Sequence, residues 1–223
     1  MKPSILYLSI LALFGTSCSG VSKSDDKQQE KTNLIGNSDS AMGYTFSKLL
    51  NKKIRIFEEG IRVLSATDAQ ATSAGYIVFA KDSSKVELFL PEETVILDKR
   101  TSGNNTPVWN VEDDDTYSLR LCNQDWMLTR RGKIMYCTTG LENVIQAKFT
   151  SKDSKKNIDI SFFNAADVAQ ITLDGVNHVL YRYLTASGYG YKNPFIDIRG
   201  KGKDMTLTDL STGKEENFTE IKK

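Results

Sequence analysis

A single histidine, His178, is present in the 223 residues, so a histidine-based triad has no second candidate for its base. No cluster of Cys and His has metal-ligand spacing either. The acidic runs Glu58-Glu59, Glu92-Glu93 and Asp113-Asp114-Asp115 fall in turn-forming stretches, where solvated carboxylates are expected. Glycosidase-type chemistry needs two carboxylates facing each other across a cleft, which adjacency in sequence does not supply. No glycine-rich loop follows a strand and opens a helix in the manner of a phosphate cradle. These residues assign no catalytic group, no metal and no cofactor. The segment that stands out is 182–203, RYLTASGYGYKNPFIDIRGKGK, in which Arg182, Lys192, Arg199, Lys201 and Lys203 face one acid, Asp197, and alternate with Tyr183, Tyr189, Tyr191 and Phe195. Cations beside aromatic rings suit a binding surface. The chain as a whole is electrically balanced, 29 Lys+Arg against 28 Asp+Glu, which excludes a strongly electrostatic nucleic-acid binder.

The elements that must position this segment are strands. Apolar residues alternate at Ile54-x-Ile56, Ile61-x-Val63, Tyr76-x-Val78, Val86-x-Leu88-x-Leu90 and Val95-x-Leu97, with EEG, KDSSK and PEE between them. The same rhythm continues to residue 207, and no long amphipathic helix interrupts it, so the class is all-β. VELFLPEETVIL (86–97) matches AQITLDGVNHVL (169–180) without a gap, and each is followed by a basic residue and then Ser-Gly. This repetition predicts two tandem small antiparallel β-barrel-like domains, over 45–139 and 140–223, with the boundary at Thr138-Thr139-Gly140. In the first, strands over 117–122, 126–129 and 133–137 place Cys122 and Cys137 on strands two apart. In flat geometry that is about 9–10 Å, against the roughly 7 Å a disulfide tolerates. A disulfide then requires strong curling or a different strand order, and two unpaired buried thiols are the alternative.

The front end reads as an export signal: Lys2, an apolar run over 5–14, and Gly15-Thr16-Ser17 before Cys18. Small residues followed by Cys resemble the lipobox of bacterial lipoproteins, which implies removal of 1–17, acylation of Cys18 and attachment to the membrane through that lipid. The polar stretch that follows makes 18–44 a tether. The expected location is the bacterial cell envelope, lipid-anchored in the outer membrane on its periplasmic or surface face.

Segment 187–207 resembles the signature of the MliC/PliC-type inhibitors of c-type lysozyme. Ser187-Gly188-Tyr189-Gly190-Tyr191 fits the family's Ser-Gly-x-x-Tyr, and Lys201-Gly202 with Leu207 fits its Lys-Gly-x-x-x-x-Leu, fourteen residues further on. The family often has an aromatic residue before Lys-Gly, where this chain has Ile198 and Arg199. It commonly has Ala where Met205 stands, and its usual disulfide has no cysteines in 141–223. The resemblance implies an eight-stranded barrel, no enzymatic activity and a c-type lysozyme as partner. It also implies Ser187 and Lys201 as the inhibitory contacts, with Gly188, Tyr191, Gly200 and Gly202 supporting their loops. In the first copy, aligning Leu121 with Leu207 sets Asp115 opposite Lys201, a charge reversal that marks 45–139 as a degenerate sister. The alternative reading is an envelope binding module for a glycan or an outer-membrane protein.

Overall fold

The computed structural model describes residues 43–101, 106–111, 117–151 and 153–221. The leader, Cys18, the tether up to residue 42, Ser102-Gly103 and Asp115 lie outside them. The described chain is all-β, with two closed eight-stranded antiparallel barrels in tandem behind a short hairpin.

The hairpin pairs β1 (Tyr44–Ser47) with β2 (Lys52–Arg55) and runs into a single helical turn, α1 (Ile56–Glu59). Ile56 therefore starts a helix, not the strand its alternation with Ile54 suggests. Both isoleucines are buried against Val78 on the outside of the first barrel. That cover explains why neighbouring residues of the barrel wall, Val86, Glu87 and Leu88, are all buried where a bare barrel would alternate. Glu87 is fully buried, and its carboxylate accepts the Ser47 hydroxyl at 2.5 Å and the amides of Lys48 and Leu49 at 3.1 and 3.2 Å. A buried carboxylate is stable only when saturated in this way.

The first barrel follows chain order through β3 (Ile61–Ser65), β4 (Gly75–Phe79), β5 (Lys85–Phe89), β6 (Thr94–Thr101), β7 (Pro107–Asn110), β8 (Tyr117–Cys122), β9 (Asp125–Arg130) and β10 (Lys133–Cys137), which closes on β3. Its interior holds Val63, Ile77, Leu88, Leu97, Leu119 and Leu128. Glu92 and Glu93 are not merely solvated turn acids: they accept the hydroxyls of Tyr136 and Tyr117, at 3.1 and 2.8 Å. Cys122 and Cys137 are free thiols, which corrects the possible disulfide. β9 lies between the strands that carry them, so they sit two strands apart.

The second barrel runs through β11 (Val144–Ser151), β12 (Asn157–Phe163), β13 (Val168–Leu173), β14 (Val176–Arg182), β15 (Tyr189–Lys192), β16 (Ile196–Lys201), β17 (Asp204–Asp209) and β18 (Glu215–Ile221), which closes on β11. Phe149, Ile160, Phe162, Ile171, Leu180, Ile198 and Phe218 fill it, with Ala147 and Ala169 where room is short. The repeated twelve-residue pattern forms the third-to-fourth-strand hairpin of both barrels. Leu88 pairs with Val95 and Ile171 with His178, the same register at an offset of 83 residues.

The barrels meet over an apolar cluster of Ala66, Met127, Ile134 and Cys137 against Phe163, Ala166 and Val168. Gln170 Oε1 accepts the Ile134 amide at 2.5 Å beside a bulge in β10, and Asn123 Nδ2 donates to the Ala165 carbonyl at 3.0 Å. The connection itself is pinned, because buried Asp125 accepts the amides of Thr138 and Thr139 at 2.7 and 3.2 Å and the Thr139 hydroxyl at 2.6 Å.

Candidate functional site

The site is assembled by one hairpin register. In the β15–β16 pair Tyr189 lies opposite Gly200 and Lys192 opposite Asp197, so continuing the ladder one step sets Gly188 beside Lys201. The fourteen-residue separation of Ser187 from Lys201 is thus the spacing that makes two ends of one hairpin neighbours. The approach is close. A Cβ at Gly188 would lie 2.1 Å from the Gly200 carbonyl oxygen and 3.2 Å from Lys201 Cβ, and the residue has φ +77°, so only glycine fits. At Gly200 a Cβ would lie 2.1 Å from the Tyr189 ring. Gly202 is different, with φ +61° and nothing within 4 Å; it supplies the first position of a two-residue turn between Lys201 and Asp204.

Two rings support this end of the barrel. Tyr189 lies under Gly200, and its hydroxyl is buried without a hydrogen-bond partner among the described residues, so burial pushes it up to about 12. Tyr191, expected beneath the loop, is buried in the barrel interior against Phe162, at 5.5 Å between ring centroids. The motif spacing carried no signal for this division of labour between the two tyrosines.

The loop between β14 and β15 is stiffened from below. The Tyr183 amide donates to the Gly190 carbonyl at 3.0 Å, and its hydroxyl donates to buried Asp197 at 2.7 Å. Arg199 Nε donates to the Tyr183 oxygen at 2.7 Å, and its guanidinium pairs with Asp197 at 3.0 Å. Lys192 Nζ sits 5.1 Å from the Tyr183 ring centroid. Arg199 is thereby neutralised locally, whereas Lys201 and Lys203 are exposed and make no ion pair among the described residues. Ser187 and Lys201 both line an open groove of about 1020 Å³, together with Leu184, Arg199, Met205 and Thr219. The groove lining thus combines an uncompensated ammonium with a hydroxyl. That is equipment for engaging an anionic partner. Among the described residues no group of His, Cys, Asp and Glu could hold a metal ion.

Among the described residues of the first barrel, the turn that corresponds to Lys201-Gly202 carries no lysine, and Asp115 is not its counterpart. Leu121 belongs to the sixth strand of its barrel and Leu207 to the seventh of its own, so they are not counterparts. The matching hairpins superpose at an offset of 79: Cys122 pairs with Asp125 as Lys201 pairs with Asp204, and Asn123, with φ 55°, takes the place of Gly202. The counterpart of Lys201 is therefore Cys122. Its turn is engaged with the second barrel through Asn123 and the shared apolar cluster.

Residues 153–216 match the family model described as membrane-bound lysozyme-inhibitor of c-type lysozyme. No curated protein and no solved structure matches the chain. The matched span covers β12 to the start of β18 and contains Ser187, Lys201 and every residue of the groove except those at its β18 edge, Asn217 to Thr219. The family is one of inhibitors and not of enzymes.

Proposed function

With residues 153–216 a domain of the c-type lysozyme inhibitor family, we propose that this chain is a lipid-anchored envelope protein that inhibits a c-type lysozyme by inserting the Ser187/Lys201 loop pair into the enzyme's acidic cleft, protecting peptidoglycan. The observation that carries the reading is the exposed, unpaired Lys201 held beside Ser187 by the β15–β16 register. Lysozymes of this kind cut with two carboxylates about 5–5.5 Å apart. An ammonium making charge-assisted bonds of about 2.7–2.9 Å to each side spans that gap. Ser187, whose hydroxyl both donates and accepts, completes the contact with a carboxylate or nearby backbone. Anchoring rests on Cys18 after removal of 1–17, and mass spectrometry of protein from native membranes tests it: a lipid-free N-terminus or an uncleaved leader refutes it.

Truncating one member of a buried, hydrogen-bonded charge pair costs about 2–5 kcal/mol, so Lys201→Ala should weaken inhibition about thirty-fold to several thousand-fold. Ser187→Ala should cost less, about 0.5–3 kcal/mol depending on whether its partner is ionised. Lys201→Glu should be worse than alanine, since it brings a third carboxylate to two already present. The assay is turnover of cell-wall substrate with variants shown to be folded. Wild-type inhibition by folded Lys201→Glu would overturn the mechanism, and absence of inhibition by the wild-type protein would favour the glycan- or protein-binding module.

A further inference from the structure

We infer that Leu184 is a second, apolar anchor for the same partner, seated against an apolar wall of the cleft beside the carboxylates that Lys201 meets; this rests on the inhibitory reading. Leu184 is 98% exposed, the most exposed of the large hydrophobic residues described. A lone exposed leucine is ordinary on a mobile loop. This one stands on a braced one. Its neighbour Tyr183 is tied by its amide to Gly190 and by its hydroxyl to Asp197 and Arg199. Thr185 Oγ1, on the other side, donates to the Gly188 carbonyl at 3.3 Å. The loop also lies so flat on the strand below that a Cβ at Gly190 would meet Tyr183 Cζ at 2.6 Å and Thr185 Cγ2 at 2.7 Å. The backbone that carries Leu184 is thus braced on both sides before any partner arrives, so little loop ordering remains to be lost when the side chain is buried.

Its position sets the partner chemistry. Leu184 lines the groove that Lys201 and Ser187 also line, so one surface presents an apolar knob and an unpaired cation. The complement is a concave, apolar-walled site with carboxylates at its base, the common form of a cleft that takes a small ligand or a saccharide chain. An apolar anchor surrounded by polar contacts is also how binding energy concentrates in protein interfaces.

The test measures affinity for a c-type lysozyme at low and high salt, using the full mature protein with Leu184→Ser, Leu184→Met and Lys201→Ala. Burying a leucine fully corresponds to about a 10- to 150-fold change in affinity. Leu184→Ser should lose that much with the wild-type salt dependence, Leu184→Met should stay within about threefold, and Lys201→Ala should flatten the salt dependence. Leu184→Ser binding within about threefold of wild type, with Lys201→Ala impaired, overturns the anchor and leaves the inhibitory reading standing. Absence of binding by the wild-type protein overturns both.

Discussion

Replacing Gly188 by alanine tests the juxtaposition of the two loops directly, and Gly202→Ala is its internal control. Both glycines have positive φ, +77° and +61°, so either alanine bears the left-handed penalty of about 1–2 kcal/mol. Only Gly188 adds a collision, its new Cβ 2.1 Å from the Gly200 carbonyl. That oxygen is poorly placed to yield, because Gly200 is paired to Tyr189 on one side and Met205 on the other. Overpacking of this kind costs about 1–3 kcal/mol, giving a total of about 2–5 kcal/mol for Gly188→Ala against about 1–2 for Gly202→Ala. For a unit of this size each kcal/mol lowers Tm by about 2–4 °C. Calorimetry should therefore show a drop of about 4–20 °C for Gly188→Ala and about 2–8 °C for Gly202→Ala. Part of the strain is relieved by moving Ser187 away from Lys201, so inhibition should fall at least about tenfold more in Gly188→Ala. Equal Tm and equal inhibition in the two variants would show that the Ser-Gly and Lys-Gly loops do not touch.

Three further outcomes follow from the same geometry. Tyr189→Phe should leave stability unchanged or raise it by about 1 kcal/mol, since it deletes a buried hydroxyl that has no partner among the described residues; denaturant unfolding that shows a loss of about 1 kcal/mol or more would mean the hydroxyl is bonded. The hydroxyls of Tyr117 and Tyr136 are pushed up to about 12 by burial and then by their bonds to Glu93 and Glu92. Folding favours the neutral phenol, so the stability they contribute is intact below pH about 10, where the unfolded tyrosine titrates, and is lost as pH rises through about 12; ultraviolet titration should show these tyrosines ionising above the exposed ones, together with base unfolding. Finally, one chain should bind one lysozyme by calorimetric titration, because the turn of the first barrel that corresponds to Lys201-Gly202 is docked on the second; a stoichiometry of two would refute that assignment.

The parts legible in the sequence were those in which an antiparallel register writes itself as a residue count. The fourteen-residue gap between Ser187 and Lys201 is a hairpin register, and the ungapped twelve-residue match is the same hairpin used twice. Alternation fixes the faces of a strand but not which strand of the barrel it is. That is why Leu121 in a sixth strand could pass for Leu207 in a seventh, and Asp115 for the counterpart of a lysine whose true counterpart is Cys122. Buried acids were illegible for a related reason. Glu87 occupies an outward position that becomes interior only because a separate hairpin folds over it, and Glu92 and Glu93 are recruited by tyrosines more than twenty residues away. Among the described residues, one turn differs in its use between the two barrels. With glycine at its first position and lysine before it, the turn in the second barrel projects a free cation. With Asn123 and Cys122 at those positions, the same turn has a side-chain amide to reach the Ala165 carbonyl and a small apolar side chain to join the inter-barrel cluster. A lysine at position 122 would put an ammonium into that cluster, where desolvation opposes it. Docking the barrels therefore disfavours a cation at this turn of the first barrel.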